Sequence, residues 1–171
     1  MKATLFRTLL ILTLTAMASL SARAADLYGN SISATWNFKT TYTQTTAVTP
    51  ADGVELNGNF GSAGYLDIGH SDFLVSSHVA SALSSGTQWI FTGIDYGSPF
   101  TVSVNTNLVG FNMNDLVVTA NSITFTNSAL ISSASGPWSV DFVLTPVPEA
   151  STLAMMGLGL LVLGVRRARR C

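Results

Sequence analysis

Fifteen consecutive residues near the C-terminus, Ser151 to Val165, carry no charge, and four arginines (Arg166, Arg167, Arg169 and Arg170) lie within the next five positions. A helix of this Leu-, Met-, Val-, Ala- and Gly-rich run is apolar on every side. That suits lipid better than the single buried stripe a small globule offers, so a C-terminal core helix is the weaker reading. At about 1.5 Å per residue the run spans roughly 22 Å, short of a ~30 Å hydrocarbon core. Bilayer thinning and snorkelling arginines close that gap at modest cost. Gly157, Gly159 and Gly164 lower helix propensity, but lipid obliges the backbone to satisfy itself internally. Arginines beside a span stay cytoplasmic, which puts the residues before Val147 outside. Residues 147–171 are thereby withdrawn from the globular fold, with 147–150 as approach, 151–165 as membrane helix and 166–171 as basic tail.

The other end reads as a secretory signal peptide over residues 1–24, expected to be helical. Lys2 and Arg7 form a positive start, Leu9 to Leu20 an uncharged apolar stretch, and Ala22-Arg23-Ala24 a small-x-small cleavage site. Cleavage is expected between Ala24 and Ala25 by signal peptidase. No cysteine lies near that site, which excludes lipoprotein processing.

The order of parts at the C-terminus resembles the PEP-CTERM sorting signal of Gram-negative bacteria. That pattern is Val-Pro-Glu-Pro, then Ser/Thr, then an apolar stretch rich in Leu and Gly, then an arginine cluster. Val147, Pro148 and Glu149 match its opening, and Ser151 and Thr152 match the Ser/Thr step. The apolar run and the four arginines match the remainder. Ala150 stands where the family usually has its second proline. The resemblance implies recognition by an exosortase, a multi-pass membrane protease with proposed transpeptidase-like action. It implies cleavage near the Pro-Glu pair and release or transfer of the ectodomain. The family's association with exopolysaccharide production implies a role in biofilm or floc material.

Between the two ends, residues 25–146 make one domain of ordinary size. Seven of the chain's eight basic residues lie in the terminal segments, so Lys39 alone faces eight carboxylates and the domain carries −7. A surface of that sign repels phosphate backbones and argues against nucleic acid. The only cysteine is Cys171, so the domain has no disulfide or thiolate metal site.

Short alternating runs dominate the domain. In Ser31 to Phe38, Ile32, Ala34, Trp36 and Phe38 point one way and Ser31, Ser33, Thr35 and Asn37 the other, as in a half-buried strand. Lys39 to Gln44 continues with β-favouring residues. Further strands are expected at Tyr65 to Ile68, Phe73 to Val75, Gln88 to Tyr96 with a break at Gly93, and Phe100 to Val104, with Leu108 to Phe111 extending that edge. Leu116 to Thr119 and Ile123 to Phe125 form a hairpin about Ala120-Asn121. The last strand is Trp138 to Leu144, with Trp138, Val140, Phe142 and Leu144 on one face. Loops are expected at Tyr42 to Val54, Gly58 to Gly64 and Ser128 to Pro137, with a linker at Thr145 to Pro148 holding the sorting site clear of the fold. Ser76 to Gly86 fits no class. No amphipathic helix and no repeat is visible, so the expected fold is all-β, an antiparallel β-sandwich or jelly-roll ectodomain.

The densest polar cluster is Asp67-Ile68-Gly69-His70-Ser71-Asp72. The plain reading is a strand–turn–strand connection whose side chains hydrogen-bond the turn. Asp67 and Asp72 sharing Ca²⁺ is a weak alternative, and His70 as general base a weaker one. His78, isolated among small residues, reads as a surface histidine. Trp36, Trp89 and Trp138 read as core anchors, with a sugar-stacking platform as the alternative. No nucleophile elbow or phosphate loop is present, so the chain is expected not to be an enzyme and to need no cofactor. The leading expectation is an exported envelope or matrix protein, a membrane-anchored periplasmic precursor that later reaches the surface or medium. Its partners are exosortase, signal peptidase, transiently the inner membrane, and exopolysaccharide as candidate ligand. The alternative is a polysaccharide- or Ca²⁺-binding module, and a secreted hydrolase ranks last.

Overall fold

The computed structural model describes residues 25–39, 41–61, 64–79, 82–133, 136–147 and 157–159. Among the described residues every ladder is antiparallel, and the helical piece within the domain is a 3₁₀ turn at Met113–Asp115. The expected signal helix lies outside the described residues. So does the expected membrane helix, apart from Gly157 to Gly159, which are helical. Among the described residues no helix is long and apolar enough to cross a membrane.

The described strands number thirteen and fall into three sheets. The chain opens with the hairpin β1 (Ile32–Phe38) and β2 (Tyr42–Val48), then runs through β3 (Val54–Phe60), β4 (Gly64–Ile68) and β5 (Asp72–Ser77). After β6 (Ala82–Leu83) and β7 (Thr87–Thr92) come β8 (Phe100–Thr106), β9 (Leu108–Val109), the hairpin β10 (Leu116–Val118) and β11 (Ser122–Thr126), β12 (Ile131–Ser133) and β13 (Trp138–Pro146). One five-stranded sheet has the order β10-β11-β7-β1-β2, the other β3-β4-β5-β13-β8, and the small third sheet is β6-β12-β9.

The alternation in the sequence becomes two inward faces. Thr87, Trp89 and Phe91 of β7 are buried, as are Phe73 and Val75 of β5 and Trp138, Val140, Phe142 and Leu144 of β13. Rings from one sheet meet rings from the other: Phe91 lies 4.9 Å from Phe73 and 6.2 Å from Phe142, Trp89 lies 5.8 Å from Trp138, and Phe125 lies 6.4 Å from Phe142. The two five-stranded sheets therefore share one core. β7 breaks at Gly93 as expected, since Gly93 sits at φ +82° and a Cβ there would come within 2.6 Å of the Ser31 carbonyl oxygen, but the expected continuation over Ile94 to Tyr96 is not strand.

Three expected loops contain strands. Tyr42–Val48 is β2, in register with the whole of β1 from Ile32↔Val48 to Phe38↔Tyr42. Its Thr-rich, half-exposed pattern is that of an edge strand, which owes its conformation to backbone pairing and shows little apolar alternation. The stretch expected as a loop from Gly58 is strand through Phe60, with register shifts against β4 at two places. Ile131–Ser133, within the expected loop Ser128 to Pro137, is β12, paired with β6 and β9. Buried Asn127 ties this third sheet down, its amide donating to the Leu83 and Ser84 carbonyls at 3.0 Å each. Leu108–Val109 does not extend β8 but pairs with β12 in that small sheet.

Phe142 touches Phe91, Phe125 and Trp89 and is fully buried. Phe142→Ala is expected to destabilise the domain by about 3–5 kcal/mol, read as a lowered midpoint in urea at unchanged slope.

Candidate functional site

The strand directions divide the domain into two ends. At one end lie Ala25 to Leu27, the β4–β5 turn, the loop between β7 and β8, and the end of β13. This is the end from which the C-terminal tail leaves.

The β4–β5 turn is set by local sequence. Gly69 donates its N–H to the Asp72 carbonyl at 3.1 Å, and a Cβ at Gly69 would collide with the Asp72 carboxylate. Two consecutive carbonyls of this turn then bind the two ends of the domain. His70 O accepts from Leu27 N–H at 2.9 Å, and Ser71 O accepts from Leu144 N–H at 2.7 Å. Leu27 is fully buried, two residues beyond Ala25 of the expected cleavage point at Ala24–Ala25; Ala25 itself packs half-buried on the core, and Ala24 lies outside the described residues.

His70 is thus where the sequence cluster suggested chemistry, and its partners are ones the sequence did not bring near it. Its Nδ1 lies 3.0 Å from Asp26 Oδ1, and its ring stacks on Tyr28 at 3.9 Å. Asp26 also accepts from the Tyr28 N–H at 2.9 Å. That bond, with the His70 contact second, holds the Asp26 carboxyl below its usual range. Tyr28 donates to Asp52 at 3.0 Å, which pushes its phenol up. Glu55 accepts from the N–H groups of Ala51 and Ile68 at 3.1 and 2.7 Å. Asp26, Asp52 and Glu55 thus serve as acceptors for loop amides and the Tyr28 hydroxyl.

Asp67 and Asp72 lie on the adjacent strands β4 and β5. Asp67 sits within β4 opposite Leu74, and Asp72 opens β5 opposite Val143. Among the described residues no group of three or more His, Cys, Asp or Glu is placed to hold a metal ion. The acid that does sense Asp72 is Asp141 on β13. Burial, and then the Asp72 charge, push its carboxyl up, against a hydrogen bond from Asn105 that pulls it down. One Asp141 oxygen is buried without a partner among the described residues.

At the opposite end Trp36, Phe38, Phe60, Trp89 and Trp138 line a cleft with Ser84 and Thr87. Its open space is about 60 Å³, far below the roughly 300–1,000 Å³ of ordinary ligand pockets. Trp89 and Trp138 are core residues, and Trp36 is half-buried at the cleft. His78 stacks on Tyr65 at 4.0 Å on the exposed surface.

The tail junction is the feature that sequence reasoning places wrongly. Composition predicts a free linker over Thr145 to Pro148, yet β13 stays paired with β8 through Thr145↔Thr101 and Pro146↔Phe100. Val147 N–H then donates to Pro99 O at 2.8 Å. Tyr96, in the same loop as Pro99, is buried and donates its hydroxyl to Leu144 O at 3.3 Å. The composition of Asp95 to Pro99 marks a turn; nothing in it marks a partner 48 residues away. The held end of β13 overlaps a known pattern, since the PEP-CTERM protein-sorting motif aligns with residues 146–170. The chain is a PEP-CTERM domain-containing protein. No curated protein and no solved structure matches it. The PEP-CTERM motif indicates export, a membrane-anchored precursor and sorting by an exosortase. Of the motif residues Val147 is described, while Pro148, Glu149 and the four arginines from Arg166 to Arg170 lie outside the described residues.

The raised Asp141 pKa has a definite sign. Between the unfolded value near 3.8 and the higher folded value, the native state binds more protons than the unfolded one, so stability falls as pH rises through that window. Asp141→Asn is expected to stabilise the domain at pH 7 by roughly 0.2–1 kcal/mol, the scale of like charges on neighbouring strands. The gain should vanish at pH 3, where Asp141 is largely protonated in both states. Urea titrations of both proteins at the two pH values measure it.

Proposed function

We propose that this chain is a non-enzymatic structural protein of the cell envelope or extracellular matrix. Its precursor stands in the inner membrane on a C-terminal helix, with a two-sheet β-sandwich ectodomain in the periplasm. Exosortase processing near Pro148–Glu149 then passes the ectodomain to the surface or the medium, where it contributes to exopolysaccharide-rich biofilm or floc material.

The match of residues 146–170 to the sorting motif carries this reading. Two further observations support it. His70, the member of the polar cluster most open to a catalytic interpretation, contacts Asp26 and stacks on Tyr28. The exported part also needs no cysteine chemistry, since its stability rests on a shared aromatic core.

Deleting residues 147–171 is expected to remove the protein from the membrane fraction and leave the domain soluble in the periplasm. The intact mass of the mature wild-type chain should place its C-terminus within a few residues of Pro148–Glu149. Unchanged fractionation of the deletion variant, or a mature chain retaining Arg170, is incompatible with the proposal.

A further inference from the structure

We infer that the folded domain gates the cleavage of its own sorting tail. The end of β13 is clamped, and the motif becomes a substrate when residues 145–147 fray from the fold. This rests on the sorting reading of residues 147–171 and adds a control point to it.

The clamp consists of backbone and side-chain bonds converging on four consecutive residues. Leu144 is bound on both sides, its N–H to Ser71 O at 2.7 Å and its carbonyl to the Tyr96 hydroxyl at 3.3 Å. Thr145 and Pro146 are paired with Thr101 and Phe100 of β8. Val147, which opens the Val-Pro-Glu triplet, donates to Pro99 O at 2.8 Å. No residue intervenes between the last held backbone group and the motif. On the other side, Pro148, Glu149 and Ala150 separate Val147 from the apolar run, a reach of at most about 14 Å fully extended. A membrane-bound protease cutting in this gap needs chain on both sides of the scissile bond, and the upstream side is part of a folded sheet.

Folded segments are poor protease substrates, and cutting tracks the population of the locally open state. Here opening is a small event. Thr145, Pro146 and Val147 are exposed, and few bonds hold them, so fraying leaves the core at Phe142 and Leu144 intact. The clamp is also a product of folding, because the turn that binds Leu144 through Ser71 is the one that binds Leu27 through His70.

The test is pulse–chase of the full-length precursor in a host bearing the processing enzyme, with the product identified by intact mass. Tyr96→Phe keeps the buried ring and removes one bond to Leu144. It is expected to speed cleavage roughly two- to tenfold, the worth of one hydrogen bond. Six Gly/Ser residues inserted between Val147 and Pro148 leave every core contact in place and should speed it further. Thr101→Cys with Thr145→Cys places thiols on directly opposed residues, about 4.5–5.5 Å apart at Cα and within disulfide reach. The oxidised form is expected to be cut at least tenfold more slowly, with reductant restoring the rate. A locked precursor cut as fast as wild type, or a spacer variant cut no faster, overturns the gate while leaving the sorting reading standing. A wild-type chain never cut near Pro148–Glu149 overturns both.

Discussion

Phe91 sits 4.9 Å from Phe73 and 6.2 Å from Phe142, and through these contacts β7 of one sheet is keyed to β5 and β13 of the other. Trp89 extends the same seam to Trp138. A domain with one lysine and no cysteine has little else to draw on. Surface ion pairs contribute at most about 1 kcal/mol each, whereas each buried aromatic side chain removes some 150–250 Å² from water. Placing β13 between β5 and β8 also fixes where the chain leaves the fold, so the core decides the geometry of the tail as well as the stability of the body.

That placement brings the two ends of the domain together. Leu27 and Leu144 lie 117 positions apart in the sequence yet bond to neighbouring carbonyls of one turn. Ala25 and Val147, the outer ends of the described domain, therefore lie at the same end of the fold, and Val147 is held there by Pro99.

The acidic residues near this end show how a negative domain uses its own amides and hydroxyls. Asp26, Asp52, Glu55 and Asp95 each accept a hydrogen bond from a loop N–H or from the Tyr28 hydroxyl. Backbone amides at turns are fixed partial positive charges, and they stabilise the carboxylates next to them. Asp141 differs from these four. It stands on the outward face of a sheet near Asp72 with one oxygen unpartnered among the described residues, and its carboxyl is pushed up accordingly.

The central strands are legible in the sequence because they bury one face, and burial writes a period of two into the residues. β1, β5, β7, β11 and β13 are all readable for that reason, as is the break at Gly93. β2 and β12 are not, because edge and short pairings depend on a neighbour's backbone and leave little trace in side-chain type. The sorting tail is fully legible, since charge, apolarity and the Val-Pro-Glu opening are local properties that need no fold to express. The clamp is invisible for the opposite reason. That Asp26 meets His70, that Tyr96 reaches Leu144 and that Pro99 holds Val147 are pairings across 44 to 48 residues. Sequence alone determined which central segments are strands and which is the sorting tail, because those are consequences of local composition. Tertiary structure decided that the tail begins on a strand still bound to the sheet, because only the packing of β13 between β5 and β8 puts those partners within hydrogen-bond reach.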